Sequence, residues 1–302
     1  YSGVIVMLAE QAHKHHKALT ASMSGVLAFI GMTFSAFTIT ILIHTLSHAH
    51  MLAWGWRIPF VIGFLLALWS YQLQKSIAES PDFEAIKVNN NILRTPLKHV
   101  LQTQTTKILY YFLISGTGAA LTFTAVAYLP SYLIDMRHLP KEQILNMTTI
   151  SMFITAITLP LTALITDKIG NRLALIIFLS LTIILTYPAF LLISQNNIVD
   201  IYIGYISILI LYALGYPVTL SICTALFPTE ERYSGVTIGY NMGYAIFGGL
   251  SPLISMCLIH HTHIQTAPAF FLIMISLITF YPTLKLFKTE ITSSAVALSK
   301  HG

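Results

Sequence analysis

One short stretch of the sequence, Asp167 to Arg172, carries charges at a spacing that suits an electrostatic contact between helices. Gly170 allows a tight turn. This turn keeps Asp167 close to Lys168 and Arg172, the two cations on either side of the glycine. A carboxylate in such a turn can face the positive end of a neighbouring helix dipole. The cations, Lys168 and Arg172, can pair with acidic residues on adjacent helices. We interpret the stretch as a charged latch; the alternative is a short basic loop with no further role.

Two further charged residues are assigned to the same latch. Glu10 ends the apolar run that opens the chain, and Arg232 follows the polar turn that begins at Phe227. The distribution of basic residues described below places both on the same side of a membrane as Asp167. The predicted latch therefore consists of Glu10, Asp167, Lys168, Gly170, Arg172 and Arg232.

Patterns that would indicate catalysis or a bound cofactor do not occur in the sequence. It has no phosphate-binding loop, no nucleophile elbow and no paired active-site carboxylates. Two histidine groups lie in separate predicted loops. A zinc ion needs its ligands at about 2 Å, and nothing in the sequence brings the two groups together around one ion. They are His44, His48 and His50, and His260, His261 and His263. We expect no enzymatic activity, no cofactor and no metal site.

The composition identifies lipid as the solvent of the elements that position these residues. Hydrophobic residues make up 55% of the chain, charged residues make up 9%, and the mean hydropathy is +0.74. A soluble domain carries roughly 25% charged residues. Eight segments are long and apolar enough to cross a bilayer, which takes about 20 residues each. They are 18–44, 54–74, 107–134, 143–166, 173–194, 201–226, 234–259 and 268–287.

Lys and Arg are distributed unevenly between the two sets of loops. Thirteen lie in the loops on the side of Asp167, and two, Arg137 and Lys141, lie in the opposite loops. Basic residues concentrate in cytoplasmic loops, so this side is predicted to be cytoplasmic, with the C-terminus. The same bias explains the net charge of +5 without a nucleic-acid partner. We expect a multi-pass protein of the bacterial inner membrane.

A polar stretch at 75–106 divides the predicted helices into two groups. Two complete helices and a short apolar segment, Tyr1 to Ala9, precede it, and six helices follow. The predicted organisation is a part of one bundle (1–74), a central cytoplasmic loop (75–106), a six-helix bundle (107–288) and a cytoplasmic tail (289–302).

Four motifs resemble those of the metabolite:proton symporters of the major facilitator superfamily. They are Asp167 to Arg172, Trp54 to Phe60, Glu79 to Phe83, and Phe227 to Gly235. The resemblance implies an all-α fold in which this chain corresponds to helices 4–12 of twelve, and therefore an N-terminal truncation. Three positions depart from the family pattern, because Ala225 replaces a usual Glu, and Glu230 and Glu231 replace basic or neutral residues. These changes bear on the strength of the latch.

The resemblance also implies which helices line a central substrate cavity. The candidate residues on them are Phe123, Tyr128, Tyr212, Tyr216, Tyr240 and Asn241. Aromatic faces attract quaternary ammonium groups with about 0.5–2 kcal/mol each, which suits a betaine-like substrate. Core packing or contact with lipid is the alternative for each of them.

The expected function is secondary active transport of a small polar metabolite together with a proton. The substrate would be an osmolyte such as proline or betaine, or a carboxylic acid, and the protein would act as a monomer in the bilayer. The membrane interior of the last six helices contains no Asp, Glu, Lys or Arg. Such residues usually mark a proton relay, so the coupling residue is expected in helices that precede this chain. The alternative is a non-transporting remnant of a truncated or split transporter gene.

Overall fold

The computed structural model of the chain describes residues 2–12, 16–74 and 96–299, and all regular structure within these ranges is helical. The motif from Glu79 to Phe83 and most of the predicted central loop lie outside them. We number the helices in chain order. They are α1 (Ser2–Gln11), α2 (Lys17–Thr45), α3 (His48–Ala53), α4 (Ile58–Gln74), α5 (Pro96–Thr103), α6 (Thr105–Met136), α7 (Lys141–Ile169), α8 (Asn171–Ile193), α9 (Ile198–Leu226), α10 (Thr229–Thr262) and α11 (Ala267–Ser299).

Eight of these helices are long and apolar enough to span a membrane, as the sequence predicted. They are α2, α4 and α6 to α11. The shortest apolar span has 18 residues and the longest has 34. At 1.5 Å of rise per residue, they extend over about 27 to 51 Å, against a hydrocarbon core of about 30 Å. The longer helices therefore reach into the predicted loops, which leaves little non-helical chain between them.

Helices α6 to α11 pack into one body, and α2 joins it by lying along α7 and α9. Small residues allow the closest approaches. A Cβ atom added at Gly243 of α10 would lie 2.5 Å from the Oγ atom of Ser115 in α6, and one added at Gly116 would lie 2.3 Å from the ring of Phe247. Close backbone approach through small residues is how membrane helices associate. By contrast, the apolar stretch of α4 has no buried residue, which is what a lipid-facing helix requires.

Helices α6 and α10 each contain π-helical turns next to a proline. In α6 they span Thr124–Tyr128 and Tyr132–Met136, and in α10 one spans Tyr244–Gly248. A proline ring clashes with the carbonyl group four residues earlier, which is Val126 for Pro130 and Gly248 for Pro252. Both carbonyls belong to π turns. The proline positions therefore account for the π turns that precede them, and such turns often occur at functional sites.

Two segments predicted to lie outside the bundles contain helix where the structure describes them. Helix α5 occupies Pro96–Thr103 within the predicted central loop, and α11 continues through the first part of the predicted tail to Ser299. Val100 of α5 is buried, whereas Leu97 and Leu101 are exposed. The end of the central loop is therefore a short helix docked on the body, and the boundaries of the two bundles stay a prediction.

Candidate functional site

Asp167, in the last turn of α7, caps the N-terminus of α2. Its Oδ1 atom accepts a hydrogen bond from the backbone N–H of Ala18 at 2.8 Å, and its Oδ2 atom accepts one from Leu19 at 3.0 Å. The first N–H groups of a helix have no partner within the helix, and they form the positive end of its dipole. The predicted contact of Asp167 with a helix N-terminus is therefore confirmed, and its action as a latch stays a prediction.

The turn after Asp167 requires its glycine. Gly170 ends α7 with a φ of +81°, a region that disfavours side chains, and α8 begins at the next residue. Asn171 then accepts a hydrogen bond from the hydroxyl of Ser221 in α9 at 2.7 Å. Lys168 and Arg172, the two cations of the motif, are both exposed. The motif thus joins α7 to α2 through Asp167 and α8 to α9 through Asn171, and it presents its cations at the surface.

Glu10 and Arg232 form a buried ion pair between α1 and the first turn of α10. The Nη1 atom of Arg232 lies 2.8 Å from Oε1 of Glu10, and the side chains are 9% and 7% exposed. The Nε atom of Arg232 also donates to the backbone carbonyl of Phe227 at 3.3 Å. Because both partners are removed from water, loss of either one takes the ion-pair partner away from a buried charge.

A second layer of contacts lies further along α2. The hydroxyl groups of Ser24 and Tyr216 are 3.0 Å apart, and the rings of Phe29 and Tyr212 are 5.6 Å apart. A Cβ atom at Gly25 would lie 2.3 Å from the Tyr216 ring, so the tyrosine fits only because this residue is glycine. From Ala18 to Phe29, α2 rises by about 16 Å at 1.5 Å per residue. We call this closed contact of α2 with α7 and α9 the α2 seam.

At the other end of α2 a cavity is lined by residues of both α2 and α7. Its volume is about 240 Å³, and its polar lining includes Thr40 and His44 from α2 and Lys141, Glu142 and Asn146 from α7. The His44, Lys141 and Glu142 side chains are exposed. The two helices thus share partly buried polar contacts at the predicted cytoplasmic end and line a cavity at the predicted periplasmic end.

The predicted cavity residues occur in three separate aromatic groups. Tyr212 and Tyr216 face α2 in the seam. Tyr240 stacks on Tyr244 at 4.2 Å, and Phe123 meets the same Tyr244 ring edge-on at 6.4 Å. In the third group Tyr128 stacks on Tyr132 at 5.6 Å. Asn241 is exposed and takes no part in these stacks.

Sequence reasoning missed Tyr132 and Tyr244, although a simple signal was present. Both lie four residues after a predicted cavity tyrosine, and residues at this spacing share one face of a helix. The buried hydroxyls of Thr124 and Tyr128 have no hydrogen-bond partner among the described residues. Buried hydroxyls of this kind normally bind water or a polar ligand.

The predicted periplasmic end is organised by Arg137, which the sequence did not single out. Its guanidinium group donates to the backbone carbonyls of Ser194 and Gln195 at 3.1 and 3.0 Å. It also donates to the side chains of Asn196 and Gln265, each at 3.1 Å. This arginine therefore caps the C-terminus of α8 and ties the ends of α6, α8 and α11 together. Among the described residues, no three His, Cys, Asp or Glu side chains form a metal-binding group.

Comparison with known proteins agrees with this architecture. A family model described as the Major Facilitator Superfamily matches residues 1–252 and 138–300. A candidate proline/betaine transporter of Staphylococcus haemolyticus is 30% identical over 295 residues, which cover 93% of this chain and 60% of that protein. The alpha-ketoglutarate permease of Escherichia coli is 27% identical over 292 residues, which cover 95% of this chain and 65% of the permease.

A solved structure shares the fold. The proton:xylose symporter XylE, bound to 6-bromo-6-deoxy-D-glucose, superposes with a TM-score of 0.71 at 16% sequence identity. The match covers 94% of this chain and 66% of XylE. The chain thus spans about three fifths of the length of the candidate proline/betaine transporter and two thirds of the length of XylE.

Proposed function

The chain belongs to the major facilitator superfamily, and on this premise we propose that it transports a small polar metabolite together with a proton across the bacterial inner membrane. It is a multi-pass membrane transporter rather than an enzyme. In carriers built from two bundles, transport proceeds by rocking one bundle against the other around a fixed site. Such a carrier needs contacts between bundles that close one side at a time.

The observation that carries the proposal is the double hydrogen bond of Asp167 to α2. Helix α2 precedes the central loop and Asp167 follows it, so the contact joins the two predicted bundles. The buried pair of Glu10 and Arg232 joins them a second time. We propose that these residues, with Lys168, Gly170 and Arg172, form a cytoplasmic gate that must open to release substrate.

The proposed substrate is an osmolyte such as proline or betaine, or a carboxylic acid. Two relatives carry names that refer to proline and betaine and to alpha-ketoglutarate. Stacked tyrosines on α6 and α10 would provide aromatic faces for an ammonium group. The buried hydroxyls of Thr124 and Tyr128, which have no hydrogen-bond partner among the described residues, would provide hydrogen bonds. We propose that Phe123, Tyr128, Tyr212, Tyr216, Tyr240 and Asn241 lie along the substrate path.

The proposed orientation places Glu10, Asp167, Arg232 and the C-terminus in the cytoplasm. The excess of basic residues on this side supports it. We propose that the protein acts as a monomer, with one bundle before the central loop and one after it.

Uptake of radiolabelled betaine, proline and alpha-ketoglutarate by cells that express the protein tests this function. We expect accumulation of one of the three, reduced to background by a proton uncoupler. Accumulation that is indifferent to the uncoupler would exclude proton symport. Uptake no higher than in cells with an empty vector, for every substrate and with the protein present in the membrane, would instead support a non-transporting remnant.

A further inference from the structure

The first turn of α10 contains two adjacent charged residues that contact different parts of the molecule. Arg232 reaches Glu10 on α1, as described above. Glu231 contacts α5, the helix at the end of the central loop. Its Oε1 atom lies 2.6 Å from Nδ1 of His99 and accepts a hydrogen bond from the hydroxyl of Thr103 at 3.0 Å. One turn of α10 therefore links the proposed gate to the central loop.

Glu231 is removed from water and incompletely satisfied. Its side chain is 7% exposed, and its Oε2 atom is buried with no hydrogen-bond partner among the described residues. A buried carboxylate is costly unless a positive charge compensates it. Among the described contacts of Glu231, that charge comes from His99 when its imidazole is protonated.

His99, by contrast, is open to solvent. Its side chain is 47% exposed, so protons exchange freely between the imidazole ring and the surrounding water. Histidine is the side chain whose charge ordinarily changes between about pH 5 and pH 8. We propose that His99 and Glu231 form a proton-binding site that fastens α5 to the gate helix α10 at low cytoplasmic pH and loosens it as the pH rises.

The direction of the effect follows from the charges. Protonation of His99 creates an ion pair with Glu231, so the docking of α5 is strongest at low pH and weakens as the proton is lost. Ionisable groups on the described parts of the elements packed around this turn include Glu230, Arg232 and Tyr233 of α10, Glu10 of α1, Lys107, Tyr110 and Tyr111 of α6, and Cys223 of α9. Arg232 is already paired with Glu10, so the contact of Glu231 with a group that can carry positive charge is the one with His99.

The consequence for transport rests on the proposed function. A docked α5 holds the first turn of α10, and with it Arg232, in the closed arrangement. Acidification of the cytoplasm would therefore favour the closed gate and slow further entry of protons with substrate. The site would act as feedback on a proton symporter.

The docking of α5 can be measured without transport. Val100 is 0% exposed, and Leu101, beside it, is 49% exposed. In a background with Cys223→Ala and Cys257→Ala, Val100→Cys and Leu101→Cys are labelled separately with a maleimide at pH 6 and pH 8. Both labelling rates rise with pH because the maleimide reacts with the thiolate. Taking the ratio of the two rates removes this common dependence. We expect the Val100→Cys to Leu101→Cys ratio to rise about tenfold from pH 6 to pH 8, because a charge-assisted hydrogen bond is lost.

Three variants separate the site from other effects of pH. His99→Gln and Glu231→Gln each remove the charge pair, so the ratio should become independent of pH. His261→Gln changes an exposed residue in the last turn of α10, at the predicted periplasmic end, and should leave the tenfold rise unchanged. A ratio that is the same at both pH values in the parent, or a rise that persists in His99→Gln, would overturn the proposal.

Hydrogen exchange of the segment 96–103 in the unmodified protein provides a second measurement if Val100→Cys fails to fold. After correction for intrinsic rates, protection should fall from pH 6 to pH 8, and unchanged protection would overturn the site. Failure of the proposed function would look different. It would appear as absent uptake with a pH-dependent labelling ratio, whereas failure of the site would appear as a flat ratio in a protein that transports.

Discussion

The two halves of α2 differ in what they contact. From Lys17 to Phe29 the helix is buried against α7 and α9, and Asp167, Tyr212 and Tyr216 hold it there. From Ile30 to Thr45 it has no buried residue, and a cavity lies between it and α7. The difference suggests that this pair of helices is closed by polar contacts at one end only. Substitutions made separately in the two halves therefore test whether the contacts of residues 17–29 hold α2 against α7 and α9.

The largest effect is expected from removal of the buried ion pair. Arg232→Ala removes the ion-pair partner of the buried Glu10, and breaking a buried pair costs about 3–5 kcal/mol. The protein should unfold at markedly lower temperature in detergent. Glu230→Ala, an exposed residue two positions away, is the matched control and should change the midpoint little. Equal midpoints for the two variants would show that the pair does not stabilise the closed end.

The next effect in size concerns the glycine that receives Tyr216. Gly25→Ala places a methyl group against the ring and forces it away from Ser24, and overpacking of this kind costs about 1–3 kcal/mol. Gly31→Ala, two turns further along the same helix, meets no atom within 4 Å. It should be neutral or slightly stabilising, because alanine favours helix. Thermal unfolding of the two variants compares the closed and open halves directly, and equal destabilisation would contradict the contrast.

A smaller effect is expected at the helix cap. Asp167→Asn removes the negative charge and one of two acceptors at the N-terminus of α2, and a lost cap costs about 1 kcal/mol. Asp200→Asn changes a carboxylate in the first turn of α9 at the opposite end and serves as the control. Asp167→Asn should raise the labelling rate of a cysteine placed at Ala21, which is fully buried in the seam. No increase, or the same increase in Asp200→Asn, would show that the cap does not hold the seam.

The smallest effect is expected at the open end. Glu142→Gln and His44→Gln alter exposed residues of the cavity, and surface substitutions usually change stability by less than about 0.5 kcal/mol. Their unfolding temperatures should match that of the parent protein. A loss of several degrees in either variant would mean that the open half also contains a closing contact.

Much of the fold was accessible from the sequence because membrane helices are long and uniformly apolar. The eight spans follow from hydropathy, and the position of Asp167 at a helix N-terminus follows from its place beside Gly170. Contacts that depend on how each helix is rotated about its own axis could not be predicted from the sequence. Hydropathy does not specify which face of α9 meets α2, so the contact of Tyr216 with Gly25 could not be anticipated.

The same limit applies to polar contacts between distant parts of the chain. Glu231 stood out only as a departure from a family pattern, since nothing local indicates that α5 folds back to place His99 beside it. Arg137 was counted as a loop residue, because its partners belong to two other loops. Asn241 is exposed whereas the adjacent Tyr240 is buried, so the two residues lie on different faces of α10, and the role of Asn241 in the cavity stays a prediction.

The central claim is that α2 is closed against α7 and α9 at one end and open at the other. During transport, the closed end should open and the open end should close. Single cysteines at Ala21, in the closed half, and at Thr40, in the cavity, test it by labelling with a membrane-impermeant maleimide applied from each side. Before addition of the transported substrate, Thr40→Cys should react from the periplasmic side, and Ala21→Cys should react from neither side. Substrate should slow labelling of Thr40→Cys and allow labelling of Ala21→Cys from the cytoplasmic side. If both positions respond to substrate in the same direction, or neither responds, the claim is wrong.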